Sequence, residues 1–167
     1  MRMAYIYTVP VAVSIRMRKL FAEERETIFS ERYPQVGMPI TARVEHTSGR
    51  LYSRAMGLLS YEELRYHLTE TRALTARGYP ELFDATGAEA EMSVAQIQSL
   101  SNMSGEMFRR GELGPTAIVV TGRMLFGMTR MYEKLNADSI SPVHVFLEVP
   151  PAEAWLAKHG THLQKSG

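Results

Sequence analysis

Asp84 is the first residue with a chemical reading. It follows Leu82-Phe83 and precedes Thr86-Gly87, at the end of an expected parallel strand, where α/β sheets gather ligands and catalytic groups. There it can anchor a ligand or act as a base. An Asp ahead of Thr-Gly equally well caps a turn through its own backbone. Thr121-Gly122-Arg123 follows an apolar strand and precedes a helix, so backbone amides plus Arg123 can hold an anion. One glycine falls well short of a phosphate loop, and neither a Walker nor a dinucleotide fingerprint occurs. Arg130 either pairs with Glu133 or Asp138 at the surface or lies with Tyr132 along the sheet edge, facing a ligand. The histidines are scattered: His46, His67, His144, His159 and His162. His159 and His162 are three apart, but Gly160 interrupts the turn and no third ligand is evident, so no metal is expected. Ser, His and Asp are all present without a Gly-x-Ser-x-Gly elbow, and a hydrolase has no positive support.

Eleven methionines stand among the 167 residues. Met103, Met107, Met124, Met128 and Met131 concentrate on or beside two successive helices. Such flexible, polarisable side chains fill an irregular core, and they also suit a surface or groove that receives a varied partner or an acyl chain. The rest of the composition excludes classes. With no cysteine, disulfide scaffolds and thiol catalysis are ruled out. Nineteen Lys/Arg against eighteen Asp/Glu give +1, too balanced for holding nucleic acid by charge. No apolar run approaches the ~18 residues of a membrane span.

The elements that must position these residues are legible from residue 38 onward. Ile40–His46 and Leu51–Met56 flank Thr47-Ser48-Gly49-Arg50 and alternate well enough for an antiparallel hairpin. Ser60-Tyr61-Glu62-Glu63 is a capping box. The helix it opens is expected to run to about Arg77, with Leu64, Leu68 and Leu74 on one face and Gly78 as its stop. Tyr79–Phe83 reads as a short strand. A second capping box, Ser93-Val94-Ala95-Gln96, opens a helix carrying Ile97, Leu100, Met103 and Met107 at helical spacing and closing at Gly111. Thr116–Val120 is a continuous apolar run, as in a strand covered on both faces. Leu125, Met128, Met131, Tyr132 and Leu135 mark a third helix. Val143–Leu147 is the last strand, and Pro151 leads into a final helix with Ala154-Trp155-Leu156. The order ββαβαβαβα gives an α/β class, with a mostly parallel sheet and an antiparallel hairpin at its beginning.

Residues 1–37 read as a separate arm, helical in part or disordered. They hold six basic and four acidic side chains, leaving 13 basic against 14 acidic in the 38–167 domain. Ala4 to Ile15 is apolar and ends in Arg16-Met17-Arg18-Lys19, without the small-residue cleavage pattern of an exported chain. Docking of the arm to a membrane surface or a partner is the sharper alternative to a peripheral tail.

Four stretches, taken with the element order, resemble the stage II sporulation protein AA-like branch of the STAS family (sulphate transporter and anti-sigma-factor antagonist). They are Leu82-Phe83-Asp84-Ala85-Thr86-Gly87, Gly114-Pro115-Thr116-Ala117-Ile118-Val119, Phe126-Gly127-Met128-Thr129-Arg130-Met131-Tyr132, and Val145-Phe146 followed by Ala154-Trp155-Leu156. The resemblance covers roughly residues 40–158. It implies a STAS-like sheet and a small non-enzymatic regulatory or interaction module, since family members resemble both anti-sigma antagonists and lipid-carrying SEC14-type domains. Phosphorylated antagonists carry an Asp-Ser-Ser-Gly-like turn after the strand equivalent to Leu82-Phe83. Here Ser93 lies near the corresponding helix start, no Asp-Ser pair precedes it, and Glu89 and Glu91 would repel a phosphate. Ser93 is accordingly expected to be an N-cap.

The sequence therefore predicts a cytoplasmic regulatory or protein-interaction domain without catalysis or cofactor. The helix opened at Ser93 and the Phe126–Leu135 helix would be its exposed face. The alternative is a carrier or sensor of a small apolar ligand or lipid, and a third, weaker reading is an enzyme using Asp84 and Arg123. Candidate ligand- or partner-binding residues are Asp84, Thr86, Ser93, Arg123, Met128, Arg130 and Tyr132. The hairpin's edge strand also offers a homodimer contact.

Overall fold

The computed structural model describes residues 39–73, 76–137 and 142–160. The expectations for the arm, and for Leu74, Asp138 and His162, lie outside the described residues. Five strands form one sheet in sequential order: β1 (Ile40–Glu45), β2 (Arg50–Leu59), β3 (Glu81–Ala90), β4 (Thr116–Val119) and β5 (Val143–Phe146). β1 and β2 pair antiparallel, and every later pair is parallel. The helices are α1 (Tyr61–Tyr66), continued by a π-helical turn (His67–Arg72), α2 (Val94–Arg109), α3 (Arg123–Ala137) and α4 (Val149–His159). The expected order ββαβαβαβα is the observed one.

Local chemistry accounts for the element boundaries. Gly49, at φ 59°, closes the hairpin turn, a backbone region that glycine enters without penalty. Both capping boxes form as read: Ser60 accepts from the Glu63 amide and Ser93 from the Gln96 amide, with each partner side chain reaching back. Gly111, at φ 67°, follows the end of α2. β4 is buried along its whole length, as a continuous apolar run in a central strand requires.

The two faces of the sheet differ in depth. Ala55, Phe83, Ala85, Ile118, Val120 and Val145 form one core with Leu125 of α3, and Leu64, Phe126, Met128 and Tyr132 pack against it. The opposite face carries Leu82, Ala117 and Val119 under Ala152 and Leu156 of α4. A third cluster of Leu68, Leu100, Met107 and Leu113 joins the π turn to α2.

Two expectations need correction. The strand read as Tyr79–Phe83 begins at Glu81 and continues to Ala90. The small residues of Asp84–Ala90 have turn-like composition, yet Ala85, Ala88 and Ala90 are buried and the segment pairs with β2 up to Leu59↔Ala90. A register shift between Arg54 and Met56 absorbs one extra residue there, as in a β-bulge. The helix expected to run unbroken to Arg77 changes to π geometry at His67.

Gly114 tests the packing where the π turn meets the sheet. A Cβ at Gly114 would lie 2.5 Å from the Gly78 carbonyl oxygen and 2.6 Å from Tyr79 backbone atoms, which are backbone and cannot rotate aside. Gly114→Ala is expected to lower stability by about 1–3 kcal/mol. Gly127→Ala, on α3 with open space around it, should raise stability by roughly 0.5–1 kcal/mol. Thermal denaturation of the two variants checks both signs.

Candidate functional site

Glu81 opens β3 with its side chain on the deep face, in register parity with Phe83 and Ala85, and is 1% exposed. Its two oxygens are fully engaged. Oε1 accepts from Ser53 Oγ at 2.7 Å and lies 2.6 Å from His67 Nε2. Oε2 is 2.9 Å from Arg72 Nε. Arg72 uses its remaining nitrogens on Thr116 Oγ1 at 2.9 Å and the Gly114 carbonyl at 3.0 Å. The π turn makes this possible. Residues five apart on an α-helix diverge by about 140°, whereas the i→i+5 geometry of a π turn brings His67 and Arg72 to one side. Burial pushes the Glu81 carboxyl up, but the Arg72 guanidinium and the His67 ring, with hydrogen bonds from His67 and Ser53, outweigh it. The carboxyl is held at about 2.

Above this network lies a cavity of about 90 Å³ between the sheet and the helices. Its floor is Phe83, Ala85 and Ile118, and its walls include Leu64, Leu68, Met92, Ile97, Leu100, Leu125 and Met128. His67, Arg72, Thr116 and Tyr132 reach its surface from the polar end. Burial of the Tyr132 hydroxyl raises its pKa, against the lowering effect of hydrogen bonds from Ser104 and Asn136. Ser104 Oγ in turn donates to Asn136 Oδ1 at 3.0 Å.

The residues singled out in the sequence separate. Met128 and Tyr132 line the cavity. Asp84 stands within β3, not at its end, and its Oδ1 accepts from the Thr86 amide at 3.0 Å and the Thr86 hydroxyl at 2.7 Å. Its other oxygen lies 3.8 Å from Arg54. These contacts hold the bulge. Ser93 is spent on its capping box. Arg123 is exposed at the start of α3, and among the described residues no hydrogen bond or ion pair joins it to Asp84. Arg130 pairs with Glu133, which also meets His144 Nδ1 at 2.6 Å and accepts from the Val145 amide at 3.2 Å. That group ties α3 to β5. His144 then stacks on Trp155, which also meets Phe146 and stacks on His159.

Sequence reasoning missed Glu81, His67, Arg72 and Ser53. One signal was available: Glu81 shares strand parity with Phe83, so an inward strand position carried a charge that must find a partner. The partners' spacing hid the other half of the pattern, because i,i+5 is not a helical face unless the helix widens.

No family model matches the chain, and no curated protein matches it. Among solved structures, the chain is similar to an uncharacterized protein of the DUF3478 family with a SpoIIAA-like fold from Shewanella loihica PV-4. The similarity spans 70% of this chain and 93% of that one at 20% identity, with a TM-score of 0.47.

Two outcomes test the buried network. Arg72→Leu leaves the Glu81 charge enclosed without its cation and should cost about 3–5 kcal/mol in urea unfolding. The pH dependence follows from the depressed Glu81 carboxyl: its folded value of about 2 lies below the ordinary 4.5. The stabilisation is therefore complete above about 4.5 and is lost as pH falls toward 2. Glu81→Gln should flatten that part of the stability–pH profile.

Proposed function

We propose that this domain is a non-catalytic binding module whose ligand is a small apolar molecule held between the helices and the sheet. The cavity of about 90 Å³ under Leu64, Met92, Ile97 and Met128 carries this reading. Apolar walls that face such a space forgo the contacts that packed neighbours would give them. Water does not fill it well: one water needs only ~10–15 Å³ of such volume, but also two to four polar partners, and the lining is almost wholly apolar. Apolar ligands recover the lost contacts. The size, with one side open to solvent, admits a ligand on the scale of benzene, for which an enclosed apolar cavity of ~150 Å³ suffices, and not a whole lipid. Catalysis has little support from the surrounding groups. The Ser53 hydroxyl, the Arg72 guanidinium and the Glu81 carboxylate are each consumed by one another or by the backbone.

A second reading, regulatory protein interaction, rests on a different observation. Met56, Leu58, Val94, Met124 and Leu147 are each more than half exposed. All five fall at or just beyond the C-terminal ends of β2, β3, β4 and β5, so the apolar side chains share one edge of the sheet. Functional contacts of α/β folds gather at this edge. Of the two helices expected from sequence to form the exposed face, the one opened at Ser93 contributes Val94 to this edge, while Met124 precedes the Phe126–Leu135 segment of the other.

Benzene, titrated against thermal unfolding of the full chain, tests the first reading. The melting temperature should rise with concentration, as binding to the folded state alone requires. Ala85→Val places two methyl groups on the cavity floor and should abolish that rise while leaving the protein folded. A melting temperature indifferent to benzene in the wild type sinks the cavity reading and leaves the exposed edge as the better one.

A further inference from the structure

The sheet is not even along its C-terminal edge. The pairing of β3 with β4 ends at Asp84↔Val119, and that of β1 with β2 begins at Ile40↔Ala55. Between these limits β2 and β3 run on together, Met56–Leu59 against Gly87–Ala90, as a two-stranded parallel extension. Leu59, Ala88 and Ala90 turn one face of it into the deep core. Side chains alternate along a strand, so Met56, Leu58 and Glu89 lie on the other face, the one that α4 covers lower down at Leu82, Ala117 and Val119. Beyond α4 the cover stops: Met56 is 52% and Leu58 63% exposed. Met56 lies across Gly87, where a Cβ would collide with its Sδ, so the absent side chain of β3 lets the thioether lie flat on the extension.

The charges on this face have an order. Arg54 precedes Met56 by two residues on the same side of β2, and Glu89 stands in register with Leu58. The strip therefore reads cation, Met56, Leu58, carboxylate, over about 13 Å at ~3.3 Å per residue. Arg54 has a distant partner in Asp84, 3.8 Å away, and its side chain stays 64% exposed. Asp84 spends its other oxygen on Thr86. Glu89 is exposed and, among the described residues, forms no hydrogen bond or ion pair.

A strip with opposite charges at its two ends and apolar side chains between them is complementary to itself. A two-fold axis lying in the face, across the strands, reverses the strip, as an isologous contact requires. It brings Met56 of each copy onto the partner's Leu58 and Arg54 of each beside the partner's Glu89. A strongly basic or strongly acidic partner would match one end and be repelled at the other. We propose that the α4-side face of the β2–β3 extension is a self-association surface, on which a second copy of this chain packs antiparallel through Met56, Leu58, Arg54 and Glu89. The inference is independent of the cavity and gives this part of the exposed edge one occupant. Two apolar side chains and one ion pair per copy fall short of the ~800 Å² per partner of a standard interface, so the dimer is weak and forms as concentration rises.

Sedimentation equilibrium of the full chain over a concentration series tests it. The average mass should climb from that of one chain toward that of two. Arg54→Glu and Glu89→Arg each set like charges against one another at both ends of the contact, and each should weaken association by about tenfold or more. Mixed in equal amounts, the two variants face each other with opposite charges at both ends and should associate about as tightly as the wild type. Leu58→Asp, at an exposed position away from the Asp84 contacts, should remove association altogether. A wild type that stays a single chain at every concentration leaves the face to a different protein and overturns the proposal. A dimer indifferent to both charge reversals lies elsewhere on the surface, and a mixture that does not recover removes the charge register; either result overturns it too. If Arg54→Glu unfolds beside Asp84, Glu89→Arg and Leu58→Asp decide alone, and association unchanged in both overturns the proposal.

Discussion

A carboxylate enclosed at the start of β3 organises the deep side of this fold. Glu81 joins β2 through Ser53, the π turn through His67 and Arg72, and, by way of Arg72, β4 and the Gly114 backbone. Three strands and the helical connection between two of them therefore meet at one charge. Removing an ion from water costs several kcal/mol, and only complete hydrogen bonding offsets it. Completeness forces geometry. Arg72 and His67 must both face the strand, and the chain meets that demand by abandoning α geometry over His67–Arg72. The network's contribution is thus more to register and to the shape of the connection than to net stability.

The cavity follows from the same arrangement. A π turn is wider than an α turn, and β3 offers only Ala85 where a larger side chain would meet the helices. Leu64 and Leu68, on either side of the change in helix geometry, and Met92, Ile97 and Leu100 across from them, close the space without filling it. Close packing elsewhere makes the void conspicuous: Leu51, Leu59, Val119, Val120 and Leu156 are almost wholly enclosed, as protein interiors generally are.

The sequence made the scaffold legible because its signals are local. Ser60 with Glu63 and Ser93 with Gln96 each specify a helix start within four residues. Gly49 marks the hairpin, and Thr116–Val120 marks a central strand by composition alone. The misread elements are those decided by distant partners. Asp84–Ala90 looks like a turn until β2 supplies the pairing that turns its alanines inward. The π turn is invisible because the residues that require it, Glu81 and Thr116, lie 9 or more positions away in sequence. The site was accordingly half seen. Met128 and Tyr132 were identified by helical spacing, whereas His67 and Arg72 carried no pattern until their common partner was known.

Two histidine–carboxylate pairs among the described residues differ in burial and so in what they hold together. His144 meets Glu133 at 2.6 Å, the same separation as His67 and Glu81. The His144 side chain, however, is 45% exposed, and its ring is stacked on Trp155 beside Phe146. Glu133 is also shared with Arg130 and the Val145 amide, which suits a tie between α3 and an edge strand. At His67 both side chains of the pair are enclosed, so it ties the π turn to β3 within the core, and loss of either partner leaves a buried polar group without its mate.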